Sequence, residues 1–352
     1  MTPITTPIPA ALDRLDAEWF TTALGSTAKV VAVTAEPLEV AGAAGELARV
    51  HLTYAETEGP SSVIAKFRGS SETQAAMDAA LGIFDRERGF YRDVAPSVPV
   101  ATPRCYFAGD GTEEPMLLED LRHLRMGDQI AGCDDADAER VVDVLAKLHA
   151  ASWDRPIPGG DGWALSLRDP MFAGMLTQLI ASGVSALADR YTDRVPQRVL
   201  DALLETAPNW GEVLAACDEG PRTLVHNDCR LDNLFFRQDG EPVFIDWQIV
   251  AHTRGTQDIA YFLSGNFRPE VLGSRWEGLL RRYHDRLQEY GVGAYGWDEC
   301  RRHYRQNVLY ALAPGVAMLG AMAIGGDERG LADALVLRTL KHADELDSFA
   351  TL

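Results

Sequence analysis

Residues 224–236 read LVHNDCRLDNLFF, a cluster of polar side chains enclosed by apolar segments. Two carboxylates, one imidazole and two amides lie between the pair Leu224-Val225 and the run Leu234-Phe235-Phe236. Apolar flanks favour burial, and burying polar or charged groups costs free energy unless they are paired or hydrogen-bonded. A chain that retains such groups at this place is therefore expected to use them for chemistry.

A β-hairpin is predicted directly after this cluster. The segments NLFF and PVFID are strand-like, and the dipeptide DG between them is a turn signal. If the loop spans residues 238–241, Arg237 pairs with Pro242. Counting back along both strands then places Asn233 opposite Asp246. Directly opposed residues lie roughly 4.5–5.5 Å apart, close enough for an amide oxygen and a carboxylate to reach one Mg²⁺ ion.

The spacing of the polar residues matches a catalytic loop. His226, Asp228 and Asn233 form the string H-x-D-x-x-x-x-N, and Asp246 follows the hairpin in FIDW. Phosphoryl-transfer enzymes use this arrangement. It predicts that Asp228 orients the acceptor hydroxyl and accepts its proton. Asn233 and Asp246 would hold Mg²⁺ against the nucleotide phosphates, and His226 would brace the loop by hydrogen bonds.

Two further aspartates near this loop are expected to be structural. Asp232 is predicted to form hydrogen bonds within the loop. Asp258, in TQDIAYFL, either caps the helix that follows or hydrogen-bonds the catalytic-loop backbone from below. Both alternatives remain open for Asp258.

A phosphoryl-transfer site also needs a cation near the phosphates. The segment SSVIAKF provides Lys66 near the end of a predicted strand, as the V-A-I-K strand of kinases does. A predicted helix over residues 70–94 places Glu87 within an apolar stripe formed by Ala76, Ala80, Ile83 and Phe90. A carboxylate there is costly unless it is paired, which predicts a Lys66–Glu87 ion pair. Asp85, on another face, is the weaker candidate.

Glycines occur where a phosphate-covering turn would lie. Gly42 and Gly45, in VAGAAGELARV, stand between two predicted strands. They do not complete a G-x-G-x-x-G string. A phosphate-binding turn and an ordinary hairpin turn both fit this pattern.

The order of the predicted elements indicates an α+β fold. Residues up to about 120 are mostly strands with one inserted helix, and long helical patterns dominate from about residue 134 onward. We predict a lobe with a small antiparallel sheet over residues 1–118, a hinge over 119–133, and a larger, mostly helical lobe over 134–352. The catalytic loop and the acceptor site belong to the helical lobe.

Composition excludes several classes of function. The 33 basic residues against 52 acidic ones give a net charge of −19, which argues against a nucleic-acid partner. Five dispersed cysteines without a CxxC pair fit a reducing cytoplasm, and residues 1–16 do not form a signal-peptide pattern. The apolar segment 308–326 contains Pro314-Gly315 and is predicted to form buried helices rather than a membrane span.

Seven stretches together make the chain resemble the aminoglycoside phosphotransferase and choline kinase group of small-molecule kinases. The likeness is strongest to the ecdysteroid-kinase-like branch and related bacterial phosphotransferases. It covers roughly residues 40–264, and its stretches are VIAKF, ERGFY, MLLEDL, LAKLHAASW, VHNDCRLDNLFF, FIDWQ and QDIAYFL.

This resemblance implies a protein-kinase-like two-lobe fold with ATP and Mg²⁺ in the cleft. The adenine would meet the backbone of residues 117–121, including Glu119 and Leu121, and a small-molecule alcohol would lie close to Asp228. The chain departs from the group at Asn227, where Gly is common, and a small change in loop geometry is expected there. The incomplete glycine pattern is a second departure.

Two alternatives differ in class from a kinase. A metal-dependent hydrolase would use His226, Asp228 and Asp246 as ligands, but it leaves Lys66 and Glu87 without a role. A catalytically silent kinase-fold binding module would be expected to have lost one of the site residues, all of which are present. The acceptor is open between an apolar alcohol such as a sterol, an amino alcohol and an aminoglycoside. The sequence does not indicate an oligomeric state.

Overall fold

The computed structural model describes residue 12 and residues 15–25, 29–38, 45–56, 59–111, 114–160, 162–273, 275–316 and 330–352. The chain divides into two compact units. The smaller comprises residues 1–97 and 102–124, and the larger comprises residues 98–101 and 125–352.

The smaller unit contains a five-stranded antiparallel sheet. In chain order its elements are α1 (Ala17–Ala23), β1 (Val30–Leu38), β2 (Gly45–Tyr54), β3 (Ser62–Arg68), β4 (Cys105–Ala108) and β5 (Met116–Glu119). The strand order is β1-β2-β3-β5-β4. Alternate residues of β3, namely Val63, Ala65 and Phe67, join Phe20 of α1 in one apolar core. Because side chains alternate along a strand, Lys66 projects from the opposite face of the sheet.

The helix predicted over residues 70–94 is interrupted at Gly82. α2 (Glu72–Leu81) ends there, α3 (Ile83–Gly89) follows, and a turn of π-helix covers Phe90–Val94. Gly82 has a φ of +61°, a left-handed conformation that ends helices and that glycine adopts without strain.

This break changes which residues are buried. Ala76 and Ala80 of α2 are exposed, whereas Ile83, Glu87 and Phe90 are buried. The prediction of one continuous apolar stripe is therefore wrong for its first half. It is correct for the half that contains Glu87.

The larger unit is mostly helical, and together the two units confirm the predicted α+β class. Its helices are α4 (Asp135–Ala151), α5 (Pro170–Tyr191), α6 (Gln197–Thr206), α7 (Trp210–Cys217), α8 (Thr256–Asn266), α9 (Pro269–Leu272), α10 (Arg275–Glu289), α11 (Trp297–Tyr310) and α12 (Leu331–Glu345). α8 is buried along its whole length and packs against α11 and α12.

Two small antiparallel sheets flank the polar residues 226–233 along the chain. One contains β6 (Arg125–Met126), β8 (Leu234–Phe236) and β9 (Pro242–Phe244), in the order β6-β8-β9. The other pairs β7 (Thr223–Val225) with β10 (Ala251–Thr253). Residues 226–233 therefore lie between the end of β7 and the start of β8.

β8 and β9 form the predicted hairpin, but one residue away from the predicted register. Phe236, and not Arg237, lies opposite Pro242. The loop has one residue fewer than predicted, because Arg237 N–H donates to Glu241 O and closes the turn. Gly240, at a φ of +86°, occupies the left-handed position that three-residue hairpin loops require.

The shifted register changes the alignment of the two expected metal ligands. Ile245 N–H donates to Asn233 O at 3.0 Å, so Asn233 is aligned with Ile245. Asp246 follows one residue later, where the chain turns at a φ of +65°. The predicted direct opposition of Asn233 and Asp246 is therefore wrong.

The apolar segment 308–326 is only partly described. Its residues 308–316 are almost all buried, and residues 317–326 lie outside the described part of the chain. Within the residues that the structure describes, no helix is long and apolar enough to cross a membrane.

Candidate active site

Asp258 of α8 holds the start of the catalytic loop, which we define as residues 226–233. Its Oδ2 accepts a hydrogen bond from His226 N–H at 2.8 Å, and its Oδ1 accepts one from Asn227 N–H at 2.7 Å. Oδ2 also lies 3.1 Å from His149 Nε2, and the other ring nitrogen lies 2.9 Å from the Tyr283 hydroxyl. All these groups are buried. The backbone role predicted for Asp258 is confirmed, and α8 begins two residues earlier, so Asp258 is not its cap.

His226 links the loop to Ile245, the residue that follows β9. Its Nε2 lies 2.8 Å from Ile245 O. A carbonyl oxygen only accepts, so Nε2 carries the proton. Nδ1 then accepts from Asp228 N–H at 3.2 Å. These two contacts hold one neutral tautomer of a buried ring and connect residues 226, 228 and 245.

Asn227 occupies an unusual backbone conformation. Its φ is +71°, in the left-handed region, where Asn is tolerated better than most residues. Its Nδ2 donates to Ile249 O at 2.9 Å, and Gln257 Nε2 donates to its Oδ1. The side chain that replaces the common Gly thus also ties the loop to its surroundings.

The second half of the catalytic loop is held by residues that are distant in sequence. Leu231 N–H donates to Gln129 Oε1 at 3.0 Å and to Asn266 Oδ1 at 2.7 Å. Asn266 Nδ2 donates to Cys229 O at 3.1 Å. Asp232 Oδ1 accepts from Gln129 N–H at 3.0 Å, which is consistent with the structural role predicted for Asp232.

Three side chains surround the Asp228 carboxylate. Asn233 Nδ2 donates to Asp228 Oδ2 at 2.8 Å, and Arg230 Nε lies 3.5 Å from the same oxygen. The Tyr261 hydroxyl also hydrogen-bonds the carboxylate. Burial and the Asp228 charge raise the pKa of Tyr261 well above its usual value, so the phenol stays protonated and donates. Asp228 itself remains 13% exposed.

Asn233 and Asp246 bring oxygen atoms to the same loop. Asn233 Nδ2 is used in bonds to Asp228 O and Oδ2, so its Oδ1 lies on the other side of the amide. Burial lowers the pKa of Arg230, but the charges of Asp228, Asp246 and Asp232 outweigh burial and raise it. Asp246 therefore lies in the field of the guanidinium that also faces Asp228.

Among the residues that the structure describes, no group of three or more His, Cys, Asp or Glu side chains is arranged to hold a metal ion. The three ligands of the hydrolase alternative, His226, Asp228 and Asp246, thus form no such group. His226 instead uses both ring nitrogens in the hydrogen bonds given above.

In the smaller unit, the predicted Lys66–Glu87 ion pair is present. Lys66 Nζ lies 2.6 Å from Glu87 Oε2, and the two side chains are 10% and 1% exposed. Lys66 lies on the central strand β3, where it pairs with residues of β2 and β5. Asp85 instead contacts Arg68 and Arg88. Asp85, the weaker of the two predicted partners of Lys66, thus pairs with arginines instead.

The remaining predicted residues of the smaller unit have structural contacts. Gly45 starts β2, and a Cβ placed there would lie 2.5 Å from Phe67 O, so the close approach of two strands requires glycine. Gly42 lies outside the described residues. Glu119 ends β5, and its side chain accepts from Arg104 N–H at 3.1 Å. Leu121 is buried.

Several residues of the site were not predicted from the sequence. They are His149, Gln129, Asn266, Arg230 and Tyr261. A usable signal existed for Asn266, because it closely follows the apolar run of residues 259–263, which the sequence alone indicates to be buried. Buried polar groups require partners, and Asn266 lies on the element that supports the loop.

Comparisons with known proteins identify the family of this chain. The ecdysteroid kinase-like family matches residues 40–291. A probable ketoamine kinase from Enterococcus faecium is 26% identical over 206 residues, which are 54% of this chain and 66% of that protein. The match therefore spans just under two thirds of the relative's length.

Solved structures show the same fold at low sequence identity. Choline kinase LicA from Streptococcus pneumoniae superposes with a TM-score of 0.56 at 14% identity, covering 93% of this chain and 98% of LicA. A GDP complex of an aminoglycoside 2'-phosphotransferase-IIIa mutant gives a TM-score of 0.58 at 13% identity, covering 94% and 97%. The protein-kinase-like fold predicted from the sequence is thereby confirmed. The family match extends over more than half of the chain, and the protein belongs to the ecdysteroid kinase-like family of small-molecule kinases.

Proposed function

We propose that this protein transfers the γ-phosphoryl group of ATP to a hydroxyl group of a small molecule, with Asp228 as the base. The observation that carries this proposal is the Asp228 carboxylate, which is partly exposed and held by Asn233 within a loop whose backbone is fixed by buried side chains. Fixed positioning is what phosphoryl transfer requires, because little covalent chemistry is left to the protein.

The proposed reaction is a single displacement at phosphorus. The acceptor oxygen forms a bond to the γ-phosphorus, and the bond between that phosphorus and the β–γ bridging oxygen breaks. The electron pair of the broken bond leaves with ADP. The hydroxyl proton passes to Asp228, which later releases it to water. The products are a phosphate monoester, ADP and one proton.

Asn233 and Asp246 would hold Mg²⁺ in this scheme. Both offer oxygen atoms, the ligand type that Mg²⁺ prefers, and Asn233 has its Nδ2 already used in bonds to Asp228. Bound Mg²⁺ would neutralise phosphate charge. The chain's own contribution is to hold Asn233 through the loop, and Asp246 through the turn after β9.

Lys66 would contact the nucleotide phosphates, and Glu87 would hold the lysine in place. The backbone near Glu119 and Leu121 would meet the adenine, while Gly42 and Gly45 would lie near the phosphates. The AMP complex of LicA, a fold neighbour with a TM-score of 0.53, supports a nucleotide site on this fold. The acceptor is proposed to be an alcohol, and a hydrophobic alcohol is favoured by the family.

The nucleotide half of the proposal is tested by thermal unfolding with ATP, with and without Mg²⁺, on wild type and Asp246→Asn. A ligand at about 100 times its Kd stabilises the fold by roughly 2.7 kcal/mol. We expect a magnesium-dependent increase in Tm that is reduced in Asp246→Asn. Asp239→Asn, an exposed aspartate of the hairpin loop, is the matched control and should behave as wild type. Absence of any nucleotide effect on wild type would contradict the proposal.

The catalytic half is tested with Asp228→Asn. We expect turnover to fall at least about 10³-fold, while Mg²⁺-ATP still raises Tm as in wild type, because the base contacts the acceptor and not the nucleotide. Acceptors are found by screening sterols, amino alcohols, aminoglycosides and ketoamines for phosphorylated product. Turnover retained in Asp228→Asn would assign the base elsewhere.

A further inference from the structure

Arg230 forms only long ion pairs with two carboxylates of the catalytic loop. Its Nε lies 3.5 Å from Asp228 Oδ2, and its Nη1 lies 3.9 Å from Asp232 Oδ2. Both distances exceed the roughly 2.7–2.9 Å of a charge-assisted hydrogen bond. The side chain is only 12% exposed. Within the described part of the chain, no side chain accepts a hydrogen bond from this guanidinium at ordinary distance.

Other arginines of the larger unit show what a closed pair looks like in this protein. Arg168 Nε lies 2.6 Å from Asp218 Oδ2, and Arg282 Nε lies 2.6 Å from Asp143 Oδ1. Those guanidiniums are more exposed than that of Arg230. Of these three arginines, the most enclosed one, Arg230, has the longest contacts with carboxylates.

The backbone at Arg230 is held in place by hydrogen bonds. Arg230 N–H donates to Asp228 O at 2.9 Å, and Asn233 N–H donates to Arg230 O at 2.9 Å. Arg230 is therefore held between the proposed base and a proposed magnesium ligand. The next residue, Leu231, is bound by two buried side chains. The backbone from which the Arg230 side chain extends is therefore held on both sides by hydrogen bonds.

The charges around Arg230 call for an anionic ligand with several oxygens. A guanidinium has five N–H donors in a planar fork that matches phosphate oxygens. Three carboxylates act on it electrostatically, those of Asp228, Asp232 and Asp246. These carboxylates would repel a nucleotide phosphate unless a cation stands between them. Arg230 is the cation that the loop itself supplies.

We propose that Arg230 donates hydrogen bonds to the γ-phosphoryl group while it is being transferred, as an arginine provided by the same chain. This inference rests on the proposed function and adds a catalytic residue to it. The guanidinium would offset the negative charge on the oxygens of the transferring phosphoryl group. It would do so beside Asp228, where the acceptor oxygen attacks the γ-phosphorus. In other phosphoryl-transfer enzymes an arginine in this role increases kcat by about 10³- to 10⁵-fold.

The test compares binding of ADP with binding of ADP plus aluminium fluoride, both with Mg²⁺, by titration calorimetry. Aluminium fluoride mimics the phosphoryl group in transfer, so wild type should bind the mixture more tightly than ADP alone. In Arg230→Gln we expect ADP affinity within about 2-fold of wild type, while the added affinity from aluminium fluoride falls about 100-fold and kcat falls about 10³-fold. Arg230→Lys, which keeps the charge but not the planar fork, should lie between the two.

Arg237→Gln is the matched control. Arg237 lies in the β8–β9 hairpin, is half exposed and pairs with Glu241, so its loss should change neither affinity nor kcat. Equal losses for ADP and for ADP with aluminium fluoride in Arg230→Gln would indicate a structural role and overturn the inference. A change confined to the KM of the acceptor would assign Arg230 to an acidic group of the acceptor and also overturn it.

The failure of the proposed function gives a different result. If wild type binds neither Mg²⁺-ADP nor its aluminium fluoride complex, the phosphotransferase proposal fails and this inference fails with it. If wild type binds both and Arg230→Gln binds them equally well, only the role of Arg230 is wrong. Should Arg230→Gln not fold, Arg230→Lys decides the question, and unchanged affinities and kcat in that variant overturn the inference.

Discussion

The catalytic loop and the Lys66–Glu87 pair are held in place in opposite ways. The loop backbone is bound by side chains from distant parts of the chain, chiefly Asp258, Gln129 and Asn266. Lys66 Nζ pairs with the buried Glu87 carboxylate at 2.6 Å. Removing one support should cost little stability where a second side chain binds the same backbone group. It should cost much where no second side chain does. A single pair should show a strong coupling between its two members.

The largest effect is expected at Asp258, because no second side chain among the described residues accepts from the two loop N–H groups that it binds. In Asp258→Ala the N–H groups of His226 and Asn227 lose their carboxylate acceptor in a buried place. Each buried unsatisfied donor costs about 1–3 kcal/mol, so we expect the free energy of unfolding to fall by about 4 kcal/mol. Urea unfolding followed by circular dichroism measures this loss.

Asp239→Ala is the control for that prediction. Asp239 Oδ1 also accepts from a backbone N–H, that of Glu241 at 3.0 Å, but it does so in an exposed loop where water can replace it. A loss of about 0.5 kcal/mol is expected. Similar losses in the two variants would show that burial of the loop support contributes nothing.

The second effect is expected in the smaller unit, at the ion pair. Lys66→Met leaves the Glu87 carboxylate buried without its cation, which costs about 3 kcal/mol. The double variant Lys66→Met/Glu87→Leu should recover most of this loss, because apolar replacements of buried pairs are often nearly neutral. The effect of Mg²⁺-ATP on Tm should stay weakened in both variants, since the lysine is missing from both. Chemical unfolding measures the stability of each variant, and the ATP titration measures the effect of the nucleotide on its Tm.

An exposed carboxylate of α3 provides the control for the pair. Asp85→Asn removes contacts to Arg68 and Arg88, and the Asp85 side chain is 53% exposed. Exposed pairs contribute about 0–1 kcal/mol, so stability should change little and the ATP effect should be unchanged. A double variant at Lys66 and Glu87 that is as unstable as Lys66→Met would contradict the coupling.

The sequence was informative where a pattern is local and periodic. The strands of the smaller unit, the helices of the larger one and the hairpin were predictable from alternation, helical spacing and a turn signal. The Lys66–Glu87 pair was predictable because a carboxylate in an apolar stripe needs a partner. His226, Asp228 and Asn233 were identified by spacing within one short segment.

The same reasoning failed where the outcome depends on one backbone angle or on distant parts of the chain. A hairpin loop that contains DG can have three or four residues. The left-handed conformation of Gly240 decides between the two lengths and so sets the register. Gly82 breaks a helix whose periodicity continues on both sides. Gln129 and Asn266 meet Leu231 from 102 and 35 residues away. Spacing in the sequence carries no information about such contacts.

Among the buried supports of the loop, the smallest single effect is expected where two side chains share one donor. Leu231 N–H donates to both Gln129 and Asn266, so Gln129→Leu, which keeps the side-chain volume, should cost only about 1 kcal/mol. Gly265 O, which also loses a bond, keeps the one from Arg338 at 3.0 Å. Combining Gln129→Leu with Asn266→Ala orphans the buried Leu231 N–H, so the double variant should lose about 1–2 kcal/mol more than the two single losses added. A double-mutant cycle by urea unfolding measures the excess, and strict additivity would mean that the two side chains do not share the support of the loop.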